Sequence, residues 1–265
     1  MKSAFLFVLF RLSTMAWGQQ QAGANAPDTT ACSFNYSSGA GENSTAYCLT
    51  VNGNIVQFAS PAGYELINAG IVDEGYGVCD LNDAGNFADD VAYFDYAHKD
   101  SANWNATVVS APNATTRKFV RTTADGIWQL TQTIKQIKSN ASSAGSIKIT
   151  MALKNLSGTA RPARVIRAAD VDADDYLNNT FVADHNSASG AIFGGYGLML
   201  ITNTLSAINH AGFVQGVFAG PDPCNYGVNL SNQPFVGDGS IMHLYYFPIV
   251  NPGATRTVVM TYKPI

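Results

Sequence analysis

The stretch Lys118-Phe-Val-Arg-Thr-Thr-Ala-Asp-Gly-Ile-Trp-Gln-Leu-Thr-Gln-Thr-Ile-Lys-Gln-Ile137, with Ser146-Ile-Lys-Ile-Thr-Met-Ala-Leu153 beyond it, decides the fold. Lys118 to Thr123 and Ile127 to Ile137 read as strands. Ala124-Asp125-Gly126 between them reads as a tight turn, since glycine supplies the positive φ that such turns demand. The small polar segment from Lys138 to Ser146 is open to two readings, an interdomain linker or a hairpin loop. Ile147, Ile149, Met151 and Leu153 alternate beyond it as a half-buried strand should, which favours the loop. Trp128 alternates with Leu130 and is assigned to the core.

The pattern continues outward. Ala46 to Val51, Asn52-Gly53 and Asn54 to Ala59 form a second hairpin signal, with Asn-Gly suited to a type I′ turn. Further strand-like runs are Arg164 to Ala169, Gly197 to Thr202, Gly212 to Phe218, Ile241 to Val250 and Thr255 to Tyr262. No window of a dozen residues sustains a helical period. The 24 Gly and 10 Pro punctuate the chain at the close spacing of sandwiches and barrels. The expected fold class is all-β, one large antiparallel β-sandwich with little helix. Residues 32–265 are expected to form a single domain, as no Pro-rich or charge-rich linker divides them.

Hydrophobic residues make up 46% of the 265 residues and charged ones only 13%. A typical soluble domain carries about 25% charged residues, so the surface must be polar through Asn, Ser, Thr and Gly. Such a chain is too aromatic and too weakly charged to be disordered. Its net charge of −4 excludes nucleic-acid binding by bulk charge, and no nucleic-acid partner is expected. Residues 1–18 have the layout of a secretory signal peptide. Lys2 precedes the apolar run Ala4 to Phe10, Arg11 interrupts it, and Ala16-Trp17-Gly18 offers a cleavage site, with a second after Ala24. Residues 19–31 read as a disordered lead-in. No other stretch approaches the length of a membrane span. The chain is therefore expected to be secreted or periplasmic. All four cysteines follow the leader, which favours disulfides. Three pairings are possible. Cys32 with Cys48 is the local one across a Gly/Ser-rich stretch, leaving Cys79 with Cys224. Eight N-x-S/T sequons (one at Asn155) give weak support for a loop-rich exported surface.

The densest acidic feature is Arg167-Ala-Ala-Asp-Val-Asp-Ala-Asp-Asp-Tyr176. If the strand from Arg164 continues, Asp170, Asp172 and Asp174 share one face. Such carboxylates repel unless a cation or Arg neutralises them. With Asp175 they form a candidate metal set, for which Ca²⁺ is the natural ion. Asp175 stands where an EF-hand needs Gly, and Phe181 where it needs Glu, so any calcium loop here is irregular. A second acidic stretch, Asp80 to Asp90, reads as a surface loop. Glycoside chemistry needs two carboxylates a few ångströms apart; the candidates are Asp73 or Glu74 with Asp170 or Asp172. Aromatic residues offer stacking faces for sugars. Trp104, Tyr176 and Tyr196 are the candidate ligand-binding set, and Phe193, Tyr226, Tyr245 and Tyr246 also lie near Gly/Asn-rich loops.

Ser146-Ile-Lys-Ile-Thr-Met-Ala-Leu-Lys-Asn-Leu-Ser-Gly158, preceded by Asp125-Gly-Ile-Trp-Gln-Leu-Thr-Gln132, resembles the central strands of large secreted β-sandwiches of the galactose-mutarotase-like supersandwich type. There a strand ends in an Asn-x-Ser/Thr turn before the chain crosses to the other sheet. The resemblance covers some 35 residues and implies a sandwich. The catalytic His and Glu pattern of mutarotases is not recognisable around His98, His185, His210 or His243. The expected function is a non-catalytic binding or structural module with a glycan or cell-surface partner, stabilised by Ca²⁺. The alternatives are an extracellular carbohydrate-active enzyme and an adhesion or matrix component.

Overall fold

A computed structural model describes residues 31–67, 74–81, 90–96, 100–173, 178–184, 186–192, 195–204, 209–215, 222–224, 230–231 and 233–265. The expected leader, and the lead-in up to residue 30, lie outside them. In chain order the strands are β1 Phe34–Ser38, β2 Thr45–Leu49, β3 Ile55–Ala59, β4 Glu74–Asp80, β5 Val91–Asp95, β6 Val108–Asn113, β7 Thr116–Thr122, β8 Trp128–Ile137 and β9 Ser146–Asn155. They continue with β10 Arg161–Asp170, β11 Asn179–Ala183, β12 Ser187–Ile192, β13 Gly197–Thr202, β14 Asn209–Gln215, β15 Phe235–Gly237, β16 Gly239–Val250 and β17 Thr255–Pro264. One 3-10 turn, Gly41–Asn43, joins β1 to β2.

The chain is an all-β sandwich. A nine-stranded sheet runs β15-β11-β12-β13-β17-β9-β8-β7-β6, a five-stranded sheet runs β14-β16-β10-β4-β5, and β1-β2-β3 form a small third sheet. The ladder through the deciding stretch is antiparallel and continuous, with Leu130 opposite both Arg121 and Leu153. The segment after Lys138 is thus a hairpin loop. Period-2 alternation sends Trp128, Leu130 and Ile134 inward from β8 and Ile147, Ile149, Met151 and Leu153 inward from β9. They meet Tyr76, Val78, Val165, Ile241 and Tyr245 of the five-stranded sheet, and Tyr47 and Phe58 of the small one, in one continuous core. Each such large side chain contributes about 1.5–3 kcal/mol by leaving water.

The centre of the five-stranded sheet is buried on both faces. Ile166, Ala168, Met242, Leu244 and Tyr96 form a second apolar cluster on its far side. Both expected disulfides form, Cys32–Cys48 and Cys79–Cys224. The second carries Pro223 against that far face, within 3.0 Å of where a Cβ on Gly77 would sit.

Two local expectations are corrected. The β2–β3 connection is not a two-residue type I′ turn. Gly53 alone takes positive φ (+87°), and its N–H donates to the Thr50 carbonyl at 3.2 Å. This is a type I turn closed by a glycine bulge. The Thr50 hydroxyl selects it by accepting from the N–H groups of Asn52 and Asn54. The β7–β8 connection begins with the same turn, the Gly126 N–H donating to the Thr123 carbonyl at 2.9 Å with Gly126 at φ +75°, but closes one residue later, the Thr123 N–H donating to the Trp128 carbonyl. The strand carrying Asp170 also stops there, so Asp172 lies past its end rather than further along one strand face.

Candidate functional site

The inner face of the five-stranded sheet carries a polar seam. In register across it lie Ala211, His243, Arg167, Tyr76 and Asp95. Arg167 is 0% exposed and reaches three elements. Its Nε donates to Glu74 Oε1 at 2.5 Å and its Nη2 to Glu74 Oε2 at 2.9 Å. Nη1 donates to Gln132 Oε1 at 2.6 Å across the sandwich, and Nη2 to the Gly53 carbonyl at 3.0 Å. Glu74, 1% exposed, also accepts the Ile55 N–H at 2.7 Å. Burial pushes its carboxyl pKa up, and the Arg167 charge opposes that shift. A second cluster centres on Asp95, which accepts from Arg121 Nη1 at 2.7 Å, Asn52 Nδ2 at 2.8 Å and Asn54 Nδ2 at 2.7 Å. Asp80 pairs with Arg161 at 2.7 Å. Buried charges persist only when paired and hydrogen-bonded, and these are. Glu74 is therefore an anchor between sheets rather than an accessible glycosidase acid, while Asp73 lies outside the described residues.

The candidate aromatics separate. Trp104 is 9% exposed, lies under the Arg121 guanidinium at 5.1 Å and packs edge-on against Tyr76 and Tyr93. It is a packing residue and offers no open face. Tyr245 is fully buried and its hydroxyl donates to Thr202 Oγ1 at 2.7 Å. Tyr176, Phe193 and Tyr226 lie outside the described residues.

Tyr196, immediately before β13, is half-buried against the edge of the core. Its ring lies 4.3 Å from that of Tyr64, tilted by 51°, and Tyr64 is 38% exposed. The Tyr196 hydroxyl donates to Glu42 Oε2 at 2.9 Å. That hydrogen bond is the main cause of its raised pKa. The cluster draws Glu42 from the 3-10 turn, Tyr64 from the loop after β3 and Tyr196 from the entry to β13. The outcome is two adjoining aromatic rings beside a solvent-facing carboxylate. Tyr64 and Glu42 carry no local sequence signal, because chain folding alone brings them to Tyr196.

The acidic cluster gains a member that spacing does not reveal. Carboxylate oxygens of Asp170, Asp172 and Asp238 lie within 4.8 Å of one another. Asp170 is 4% exposed and accepts the Ser240 hydroxyl at 2.9 Å. Asp238 arrives from the short connection between β15 and β16. Asp174 and Asp175 lie outside the described residues. Asn179 pairs with both Ile192 and Gly237, and Ala191 pairs with Gly197. The acidic cluster and Tyr196 thus occupy the same end of the large sheet.

No family model matches the chain, and no curated protein matches it. Solved structures do. A bacterial glucoamylase complexed with acarbose superposes with a TM-score of 0.56 at 12% identity, over 91% of this chain. The chain spans 34% of that protein's length. A protein named as an aldose 1-epimerase from Escherichia coli aligns over 88% of this chain and 99% of its own, with a TM-score of 0.49 and 11% identity. At such identities the likeness is one of fold: this chain has the β-sandwich architecture that also occurs in the glucoamylase.

Proposed function

We propose that this protein is an exported, non-catalytic glycan-binding module whose ligand seats on the Tyr64–Tyr196 pair. The observation that carries the reading is the aromatic pair itself, Tyr64 exposed and Tyr196 half-buried, with the exposed Glu42 beside it. The apolar C–H face of a sugar ring suits an aromatic surface, and a carboxylate accepts hydrogen bonds from sugar hydroxyls. The glucoamylase that shares the fold was captured with acarbose, which points the same way. Two disulfides suit an oxidising compartment, in keeping with the leader. A glycan array probed with the wild-type protein and with Tyr64→Ala and Tyr196→Ala tests the reading. Neutral glycans should bind the wild type and be lost by both variants. Self-association with no glycan signal would favour the adhesion reading instead.

Calcium at Asp170, Asp172 and Asp238 is the second part of the proposal. The mutual approach of three carboxylates within 4.8 Å, one of them buried, supports the reading. Hard oxygen donors at this spacing suit Ca²⁺, which takes six to eight oxygens at roughly 2.3–2.6 Å.

A further inference from the structure

The outer face of the nine-stranded sheet has a charge pattern unlike the rest of the molecule. Five of the eight lysines, Lys118, Lys135, Lys148, Lys154 and Lys263, stand on it. No Asp or Glu occurs within β6, β7, β8, β9, β13 or β17, although the chain as a whole is acidic. Arg121, Arg161 and Arg167 are engaged in ion pairs with Asp95, Asp100, Asp80 and Glu74.

Register turns four of these lysines into a line. Lys118 pairs with Thr133 and so lies diagonal to Lys135. Lys135 sits directly opposite Lys148, and Lys148 pairs with Thr261, diagonal to Lys263. With strands about 4.8 Å apart and about 3.4 Å of rise per residue, the line crosses four strands over roughly 20 Å. Like charges directly opposite one another are destabilising. Nothing in their cross-strand surroundings offsets the Lys135–Lys148 pair: the flanking residues are Thr116, Thr133, Thr150, Ser146 and Thr261. Among the described residues no element covers this face, and Lys118, Lys135, Lys148 and Lys263 are exposed.

We propose that this lysine diagonal binds a linear anionic polysaccharide, bearing carboxylates or sulfates along its length. A flat face of ammonium groups interleaved with threonine hydroxyls complements spaced anions and sugar hydroxyls together. The face presents no aromatic ring from β7, β8, β9 or β17, so it lacks the stacking platform that single-stranded nucleic acid uses. The surface is separate from the Tyr64–Tyr196 pair and stands or falls independently of it.

The test is titration of the purified protein with heparin (sulfated), polygalacturonate (carboxylated) and single-stranded DNA, at several salt concentrations. Wild type should bind at least one of the two polysaccharides, with affinity falling as salt rises. Lys135→Gln/Lys148→Gln should weaken that binding roughly tenfold, and the quadruple variant with Lys118→Gln and Lys263→Gln roughly a hundredfold, at a few-fold per surface charge. Both variants should melt no lower than wild type, because they remove repulsion. Tyr196→Ala should leave polyanion binding intact. The proposal is overturned by no polysaccharide binding at low salt, by undiminished binding in the quadruple variant, or by tighter binding to DNA than to either polysaccharide.

Discussion

Arg167→Met isolates the buried seam. The substitution keeps an apolar stem but removes every hydrogen bond of the guanidinium, two of them to Glu74 and the others to Gln132 and the Gly53 carbonyl. Glu74 is then left 1% exposed, with the Ile55 N–H still donating to it. Breaking a buried pair by removing one partner costs about 3–5 kcal/mol. For a protein of this size each kcal/mol moves Tm by about 2–4 °C, so Tm should fall by roughly 10 °C. Replacing both partners, Arg167→Met with Glu74→Leu, should recover most of that loss, because no unpaired charge remains. The deficit should also depend on pH. Burial already raises the Glu74 pKa, and removing Arg167 raises it further. A carboxyl with a raised folded pKa contributes most stability below its unfolded value and loses it as pH rises through the folded value. The single variant should therefore lie closest to wild type near pH 4, below the ordinary glutamate pKa of about 4.3, and fall further from it as pH rises to 7. Urea denaturation at both pH values reads this directly. A deficit below about 1 kcal/mol at pH 7 would contradict the paired-charge picture. So would one that does not change with pH.

Two further outcomes follow from the same structure. Cys79→Ser with Cys224→Ser opens a link between residues 145 apart in sequence, and should cost about 4–5 kcal/mol by chain entropy; urea midpoints under non-reducing conditions measure it. For the acidic cluster, Ca²⁺ at a hundred times its dissociation constant should stabilise by about 2.7 kcal/mol. Asp238→Asn should abolish the shift. An identical Tm with EDTA and with millimolar Ca²⁺ removes the calcium proposal.

The strands legible from sequence are those whose turns are local and whose faces differ. Gly126 and the alternation from Trp128 to Leu153 define three strands without reference to anything distant. The strand Glu74–Asp80 has no such signature, since it is buried on both faces and alternation vanishes when neither side meets water. Its sequence offers Glu74 as a candidate free carboxylate, whereas Glu74 is claimed by Arg167, 93 residues away. The site shows the same limit. Tyr196 is visible as an aromatic in a Gly-rich turn, but Tyr64, Glu42 and Asp238 join their clusters only through tertiary folding. Trp104 looks equally exposed in sequence, yet Arg121, Tyr76 and Tyr93 enclose it. The lysine face lies between these cases: each Lys alternates with buried apolar residues, so its facing is local information, while the diagonal needs the register of four strands.

The central claim is that the Tyr64–Tyr196 pair is a sugar platform. Calorimetric titration of the best neutral oligosaccharide from the array, into wild type, Tyr64→Ala and Tyr196→Ala, tests it most directly. Loss of one stacking ring should weaken binding about tenfold, equivalent to about 1.4 kcal/mol. Tyr64 is exposed, so Tm should hold in Tyr64→Ala, whereas Tyr196 also packs on the core and Tyr196→Ala should lower Tm modestly. Equal affinity in all three proteins, or no neutral glycan bound by the wild type, would contradict the account.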